Sequence, residues 1–315
     1  MMTATWCLLA VLLILNVLAY LHARSMTHFA AGGVRTHRPE MLSLRQKAKV
    51  LITGITLPRP CNLVTPDSFG LAFETHRFRS DGGPELEAWH LPYPDARALV
   101  LLFHGYTSCK AELLPEAKAL HELGYASLLV DFRGSGGSAG AATTIGVSEA
   151  DDVAAAFAYA RRTWPGLTVV LFGQSMGGTA VLRAVIVHGL EPPAVILACP
   201  FDRLVTTVGN RFGSMGLPAF PAAGLLVFWG GVQHGFNGFR HNPVDYAKRV
   251  RCPVLLLQGD LDPRVTPAQA RAIFANLAGE KYFELLLGVG HENHAASNPE
   301  QWKRAVQQFL ATLKR

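Results

Sequence analysis

The sequence predicts an α/β fold, a mainly parallel sheet flanked by helices on both faces, and three observations carry that reading. Short β-branched or apolar runs alternate with segments of helical period from residue 99 onward. Several of these runs end in glycine-containing loops that carry a serine, an aspartate or a histidine, the position where ligands gather in open α/β sheets. With an apolar N-terminal stretch set aside, roughly 260 residues remain, a usual size for one α/β domain.

The elements follow in chain order. From Thr5 to Leu21 only Asn16 interrupts an apolar run that includes Trp6, Leu8, Leu9, Val11, Leu12, Leu13, Ile14, Leu15, Val17 and Leu18. That run is near the lower limit for crossing a bilayer as a helix, so residues 1–24 are expected to form a transmembrane anchor. A cleaved signal peptide is the rival reading; no Lys or Arg precedes the run, and Ala23-Arg24-Ser25 is a poor match to an Ala-x-Ala cleavage site. Arg24, Arg35, Arg38, Arg45, Lys47 and Lys49 all lie on the carboxyl side of the span. The positive-inside rule therefore puts the rest of the chain in the cytoplasm, and residues 25–70 read as a basic juxtamembrane linker beside anionic lipid. These residues account for part of the net charge of +6. Because they form no patch interleaved with aromatics, no nucleic-acid partner is expected. Five cysteines, with Cys7 in the apolar span and Cys199 and Cys252 beside strand-like runs, do not make a disulfide framework. Reduced, mostly buried thiols are expected, with a Cys61–Cys109 bridge left open.

The catalytic domain is expected over residues 71–315. Glu74–Phe78 and Leu86–His90 read as early strands joined by the turn Ser80-Asp81-Gly82-Gly83. Leu99–Phe103 is a buried-strand run leading into His104-Gly105-Tyr106-Thr107. Ala126–Val130 is the next strand, and Ser148–Arg162 a helix. Thr168–Phe172 is a further buried strand, followed by Gly173-Gln174-Ser175-Met176-Gly177 and a helix-period segment from Gly178 to His188. G-x-S-x-G between a strand and a helix is a sharp turn that crowds the backbone on both sides, so only glycine fits the flanks, and the serine hydroxyl is pushed out above the sheet. Ser175 is therefore the expected nucleophile. Met176, whose N–H opens the helix, is one expected donor to an oxyanion.

Val195–Leu197 is another strand. The segment 202–242 is too long for a plain connection and is expected to be an inserted lid; its centre, Met215–Gly231, carries no charge, while Pro218 and Pro221 make it a poor membrane span. Asp202 is expected to cap a helix or anchor that lid. Cys252–Gly259 and Tyr282–Leu287 are the last strands, ending in Gly259-Asp260-Leu261-Asp262-Pro263 and in Gly288-Val289-Gly290-His291. A serine hydroxyl needs a base within hydrogen-bond reach and a group to orient that base, and these loops supply candidates for both. His291-Glu292-Asn293-His294 lacks the His-Glu-x-x-His spacing of a helical metal site, so no metal or cofactor is called for in the chemistry. Val306, Phe309, Leu310 and Leu313 give the final helix an apolar stripe.

Taken together, these residues resemble the α/β-hydrolase superfamily from about Glu74 onward. The resemblance selects Asp262 as the acid, because Gly259, Asp262, Val265 and Pro267 match the family pattern, and leaves Asp260 to cap the turn. It also selects His291 as the base, with His294 a solvated loop residue. It implies Tyr106, which follows His-Gly, as the second oxyanion donor, with His104 shaping the loop, and it reads Asp131-Phe132-Arg133-Gly134-Ser135-Gly136-Gly137-Ser138 as a structural loop. The anchor, the Asp-Gly turn and the Glu-x-Trp strand look like the Bem46-like membrane-associated hydrolases. The resemblance implies a membrane-anchored serine hydrolase acting on a small-molecule ester or acyl substrate, thioesters included, in contact with membrane lipid. An aminopeptidase or amidase of the same fold is the alternative, and a catalytically silent binding protein is the reading outside enzymes.

Overall fold

The apolar runs become the strands of one sheet, and their order explains why catalytic candidates distant in sequence share one end of it. A computed structural model describes residues 2–37, 41–79 and 82–313; Arg38 and the Ser80-Asp81 half of the early turn lie outside these. Among the described residues, eight strands line up as β1-β2-β4-β3-β5-β6-β7-β8. They are β1 (Glu74–Arg79), β2 (Glu85–Leu91), β3 (Leu99–Phe103), β4 (Ala126–Val130), β5 (Val169–Gln174), β6 (Val195–Ala198), β7 (Val254–Gly259) and β8 (Lys281–Leu286). β2 runs antiparallel to both β1 and β4, and all other pairs are parallel. β3, β4 and β7 are buried at every residue, as strands covered on both faces must be. β1, at an edge, exposes Thr75, Arg77 and Arg79, with Arg77 paired to Glu85 and Glu87 of β2; such charge discourages edge-to-edge pairing.

The helices of this unit are α3 (Leu114–Glu122), α4 (Glu149–Thr163), α5 (Met176–Val187), α8 (Pro243–Ala247), α9 (Pro267–Asn276), α10 (His294–Ser297) and α11 (Pro299–Ala311). Alternate residues of β3 serve the two layers. Leu99, Leu101 and Phe103 pack with Val153 and Phe157 of α4, Val181 of α5 and Ile273 of α9. Val100 and Leu102 pack with Leu114 and Leu120 of α3 and Trp302, Val306 and Phe309 of α11. This is the period-2 division expected of a strand with helices on both sides.

A second compact unit is made of residues 1–58 and 203–241. It contains α1 (Met2–Thr27), α2 (Leu44–Thr53), α6 (Leu204–Ser214) and α7 (Ala222–His234). α1 and α7 pack together: the Trp229 indole N–H donates to Asn16 Oδ1 at 3.2 Å, the Gln233 amide donates to the Tyr20 carbonyl at 2.8 Å, and the rings of His28 and His234 stack at 5.1 Å. Asn16, the polar break in the apolar run, thus has a partner, as polar groups on apolar helices require. The Lys47 ammonium donates to the Met215 carbonyl at 2.9 Å, and Ser43 and Gln46 form a capping box at the start of α2. The units divide the chain differently from the sequence reading. The 203–241 insertion groups with the N-terminal segment, the stretch read as a linker contains a capped helix, and the sheet unit takes in 59–202 and 242–315. The uncharged centre of the insertion packs on α1, an apolar partner that local sequence could not name.

Candidate active site

Ser175 stands between β5 and α5 with φ 50° and ψ −112°, a left-handed backbone that costs a non-glycine residue about 1–3 kcal/mol. The surroundings hold it there. Its N–H donates to the Ala198 carbonyl at 2.7 Å, and its carbonyl accepts from the Thr179 N–H at 3.1 Å, which starts the helix. A Cβ at Gly173 would lie 2.5 Å from backbone atoms of Gly177 and Gly178, and one at Gly177 would lie 2.2 Å from the Phe103 carbonyl. Both flanks of the serine are therefore closed to any side chain.

The two loops read as acid and base follow β7 and β8, which are adjacent and parallel. They meet closely: a Cβ at Gly259 would be 2.4 Å from the Val289 carbonyl. Ser175 Oγ lies 3.1 Å from His291 Nε2, and His291 Nδ1 lies 2.6 Å from Asp262 Oδ2. The other carboxylate oxygen of Asp262 accepts the N–H groups of Arg264 at 2.8 Å and Val265 at 2.9 Å. Burial pushes the Asp262 pKa up, but the hydrogen bond and charge of His291 and these two N–H donors outweigh it and hold the carboxyl below its ordinary value. Asp262 is thus an ionised acceptor at neutral pH. Asp260 accepts instead from the Val289 N–H at 3.2 Å, tying the two loops together.

Tyr106 lies in the loop that follows β3, and Met176 directly follows the serine. The preceding Gly105 is close enough that a Cβ there would contact the Ser175 Cβ at 3.7 Å, and Met176 is the first, buried residue of α5. His104 is fully buried; its Nδ1 donates to the Gly105 carbonyl at 2.8 Å and its Nε2 accepts the Phe132 N–H at 3.1 Å. Burial lowers its pKa, so this neutral tautomer fixes the loop that carries Tyr106.

The fold has counterparts among solved structures. An esterase of Pyrococcus furiosus superposes with a TM-score of 0.69 at 23% identity, covering 81% of this chain and 97% of that one. An esterase of Exiguobacterium antarcticum does so with a TM-score of 0.58 at 18% identity, covering 76% and 100%. The chain has the α/β-hydrolase fold. A family model described as serine aminopeptidase, S33, matches residues 94–223. In sequence, the chain is similar to an uncharacterized protein of Mycobacterium tuberculosis, 25% identical over 231 residues, 72% of this chain and 75% of that protein. It is also similar to protein bem46 of Schizosaccharomyces pombe, 22% identical over 217 residues, 68% of each chain. These likenesses support a hydrolase.

Several residues of this α/β-hydrolase unit were not legible as site components. The Asp131 loop is organised by a buried cation: the Lys110 ammonium bonds the Asp131 carboxylate and Glu87 Oε1, the latter at 2.9 Å, and Asp131 also accepts the N–H groups of Lys110 and Gly137. Removing one partner of such a pair costs about 3–5 kcal/mol. Cys199, read only as a thiol beside a strand, is fully buried, its sulfur within 4.8 Å of ligand atoms of Asp262 and His291, and burial raises its pKa far above the ordinary range. It is an inert wall of the site. Glu116 of α3 is buried and accepts from the Asn293 amide, two residues beyond His291; burial raises its pKa to about 7. His294 was expected in solvent but is buried at the start of α10, and burial lowers its pKa to about 4. The short helix folds it inward, away from the loop surface. Asp202 accepts from the Gln269 amide in the first turn of α9 at 2.6 Å. All five cysteines are free; Cys109 and Cys199 are buried, Cys252 is half-buried, and Cys7 and Cys61 are exposed, more open than expected.

Proposed function

We propose that this chain is a membrane-anchored serine hydrolase that cleaves carboxylic ester or thioester bonds through an acyl-enzyme. The hydrogen-bonded series Ser175, His291, Asp262 at a strained turn carries the reading. Ser175 Oγ attacks the substrate carbonyl carbon while His291 Nε2 takes its proton, and the ionised Asp262 steadies the resulting imidazolium. The N–H groups of Tyr106 and Met176 stabilise the oxyanion, and the N-terminal end of α5 adds a favourable dipole. His291 returns the proton to the leaving oxygen or sulfur. Water, activated by the same imidazole, then attacks the acyl-serine, freeing the acid and restoring the hydroxyl. The sequence consumes only substrate and water.

Thr5–Thr27 is helical, contains an 18-residue stretch with a mean hydropathy of 2.1, and exposes Trp6, Leu9, Leu13, Ile14 and Val17, which supports the anchor. The basic residues beyond it support a cytoplasmic catalytic domain. Cys61 is an exposed reporter of that topology: a membrane-impermeant maleimide is expected to label it in inverted vesicles and not in intact cells, with Cys61→Ser as control. The description of the matching family model favours a serine aminopeptidase as the second reading. Hydrolysis of p-nitrophenyl esters of increasing acyl length, acyl thioesters and aminoacyl p-nitroanilides separates the two, with Ser175→Ala as control throughout. Turnover of esters without anilides supports the proposal, anilide turnover alone replaces it with the peptidase, and failure of fluorophosphonate to label Ser175 removes both.

A further inference from the structure

The edge hairpin brings together three residues that no spacing in the sequence connects. Glu74 lies directly opposite His90 in the antiparallel β1–β2 pair, and His76 follows Glu74 by two residues, so all three side chains share one face. His76 Nε2 is 3.4 Å from Glu74 Oε2, and His90 Nδ1 is 3.9 Å from the same oxygen. One ligand atom from each residue lies within 4.8 Å of the other two. Tetrahedral zinc, with bonds of about 2.0–2.2 Å, sets neighbouring ligand atoms roughly 3.3–3.5 Å apart, so small side-chain shifts bring this trio into range.

The ring nitrogens facing the carboxylate are buried and have no hydrogen-bond partner among the described residues. The His90 side chain is only 9% exposed, and an unsatisfied buried acceptor costs about 1–3 kcal/mol. The surroundings orient both rings for ligation. His76 Nδ1 lies 2.8 Å from the Tyr159 hydroxyl of α4, which accepts the Nδ1 proton in the tautomer that leaves an Nε2 lone pair available to a metal. The Trp164 ring lies against His90 with centroids 4.3 Å apart. Burial, then the neighbouring His76, lowers the His90 pKa, which keeps that imidazole neutral. Glu74 is 69% exposed, leaving a path for an ion and for a completing water.

We propose that Glu74, His76 and His90 bind a divalent transition metal of the zinc class, pinning edge strand β1 to β2. Two imidazoles and one carboxylate suit zinc far better than magnesium or calcium. The site is separate from the chemistry at Ser175. β1 and β2 lie at the edge of the sheet with β4 and β3 between β2 and β5, and Trp164 precedes the amino end of β5, whereas Ser175, Asp262 and His291 all follow carboxyl ends of strands.

The test is calorimetric titration of the full chain in detergent, its affinity tag removed and the protein stripped with chelator, using zinc ions alone. One zinc per chain is expected, retained in His291→Ala. Glu74→Gln and His90→Gln are each expected to weaken binding by more than about tenfold, and Tyr159→Phe by about tenfold. Glu74 is exposed, so Glu74→Gln keeps the fold and decides the matter even where His90→Gln does not fold. Absence of zinc binding by the unmutated chain would overturn the proposal, as would binding that survives Glu74→Gln but disappears in His291→Ala, which would put the ion against Cys199, Asp262 and His291.

Discussion

Two constellations in the sheet unit join histidine to carboxylate, and they differ in what the second ring nitrogen meets. His291 has a hydroxyl on one nitrogen at 3.1 Å and an ionised carboxylate on the other at 2.6 Å, so a proton taken on one side is balanced on the other. His76 and His90 each turn a nitrogen without a hydrogen-bond partner among the described residues toward the same Glu74. The first arrangement suits proton transfer and the second suits a cation, with nearly the same residue types. Their mounting differs too: His291 and Asp262 sit on loops locked by close backbone approach at Gly259, and the trio sits on paired strands. Residue type sets what chemistry is available, and the partner of each nitrogen decides which is used.

The largest effect expected from breaking this comparison is at the serine: Ser175→Ala should lower kcat by about 10^4–10^6 and abolish fluorophosphonate labelling. Asp262→Asn should cost about 10^4 in kcat through the wrong imidazole tautomer, whereas Asp260→Asn should keep kcat/KM within about tenfold. The reverse ranking in ester kinetics would move the acid to Asp260. On the metal side, zinc at a hundredfold excess over Kd should stabilise the unmutated chain by about 2.7 kcal/mol, read as a rise in Tm, and leave Glu74→Gln unmoved.

The smallest effect tests the floor of the His291 loop. Burial raises Glu116 to about 7 from its ordinary value of 4.5, so between these values the folded chain holds a proton that the unfolded chain has released. Its contribution to stability is complete below the lower value and is lost as pH rises through the upper one. Glu116→Gln should flatten the dependence of Tm on pH across that window and match or exceed the unmutated chain at pH 8. An unchanged pH profile would show that Glu116 does not titrate there.

Much of this molecule was written locally. The runs Leu99–Phe103, Ala126–Val130 and Val169–Leu171 specify strands because β-branched and large apolar side chains fit a pleated, doubly covered surface, and all are strands. Ser175 could be singled out because the steric demand of its turn is met by the residues beside it, Gly173 and Gly177. Asp262 and His291 were readable as ends of strands, with family resemblance choosing between neighbours. The burial of His294, the cation under the Asp131 loop, Cys199 against the acid and the pairing of α1 with α7 were not readable. Each joins groups far apart in the chain, as Asn16 joins Trp229.

The sequence by itself determined the α/β class, the strained serine turn and the apolar N-terminal helix, because hydrophobic period and backbone sterics act over a few consecutive residues. Only the tertiary structure decided that β7 lies beside β8, so that Asp262 meets His291, and that Glu74 faces His90. Strand register and helix packing follow from burial summed over the whole core, and no local stretch contains that sum.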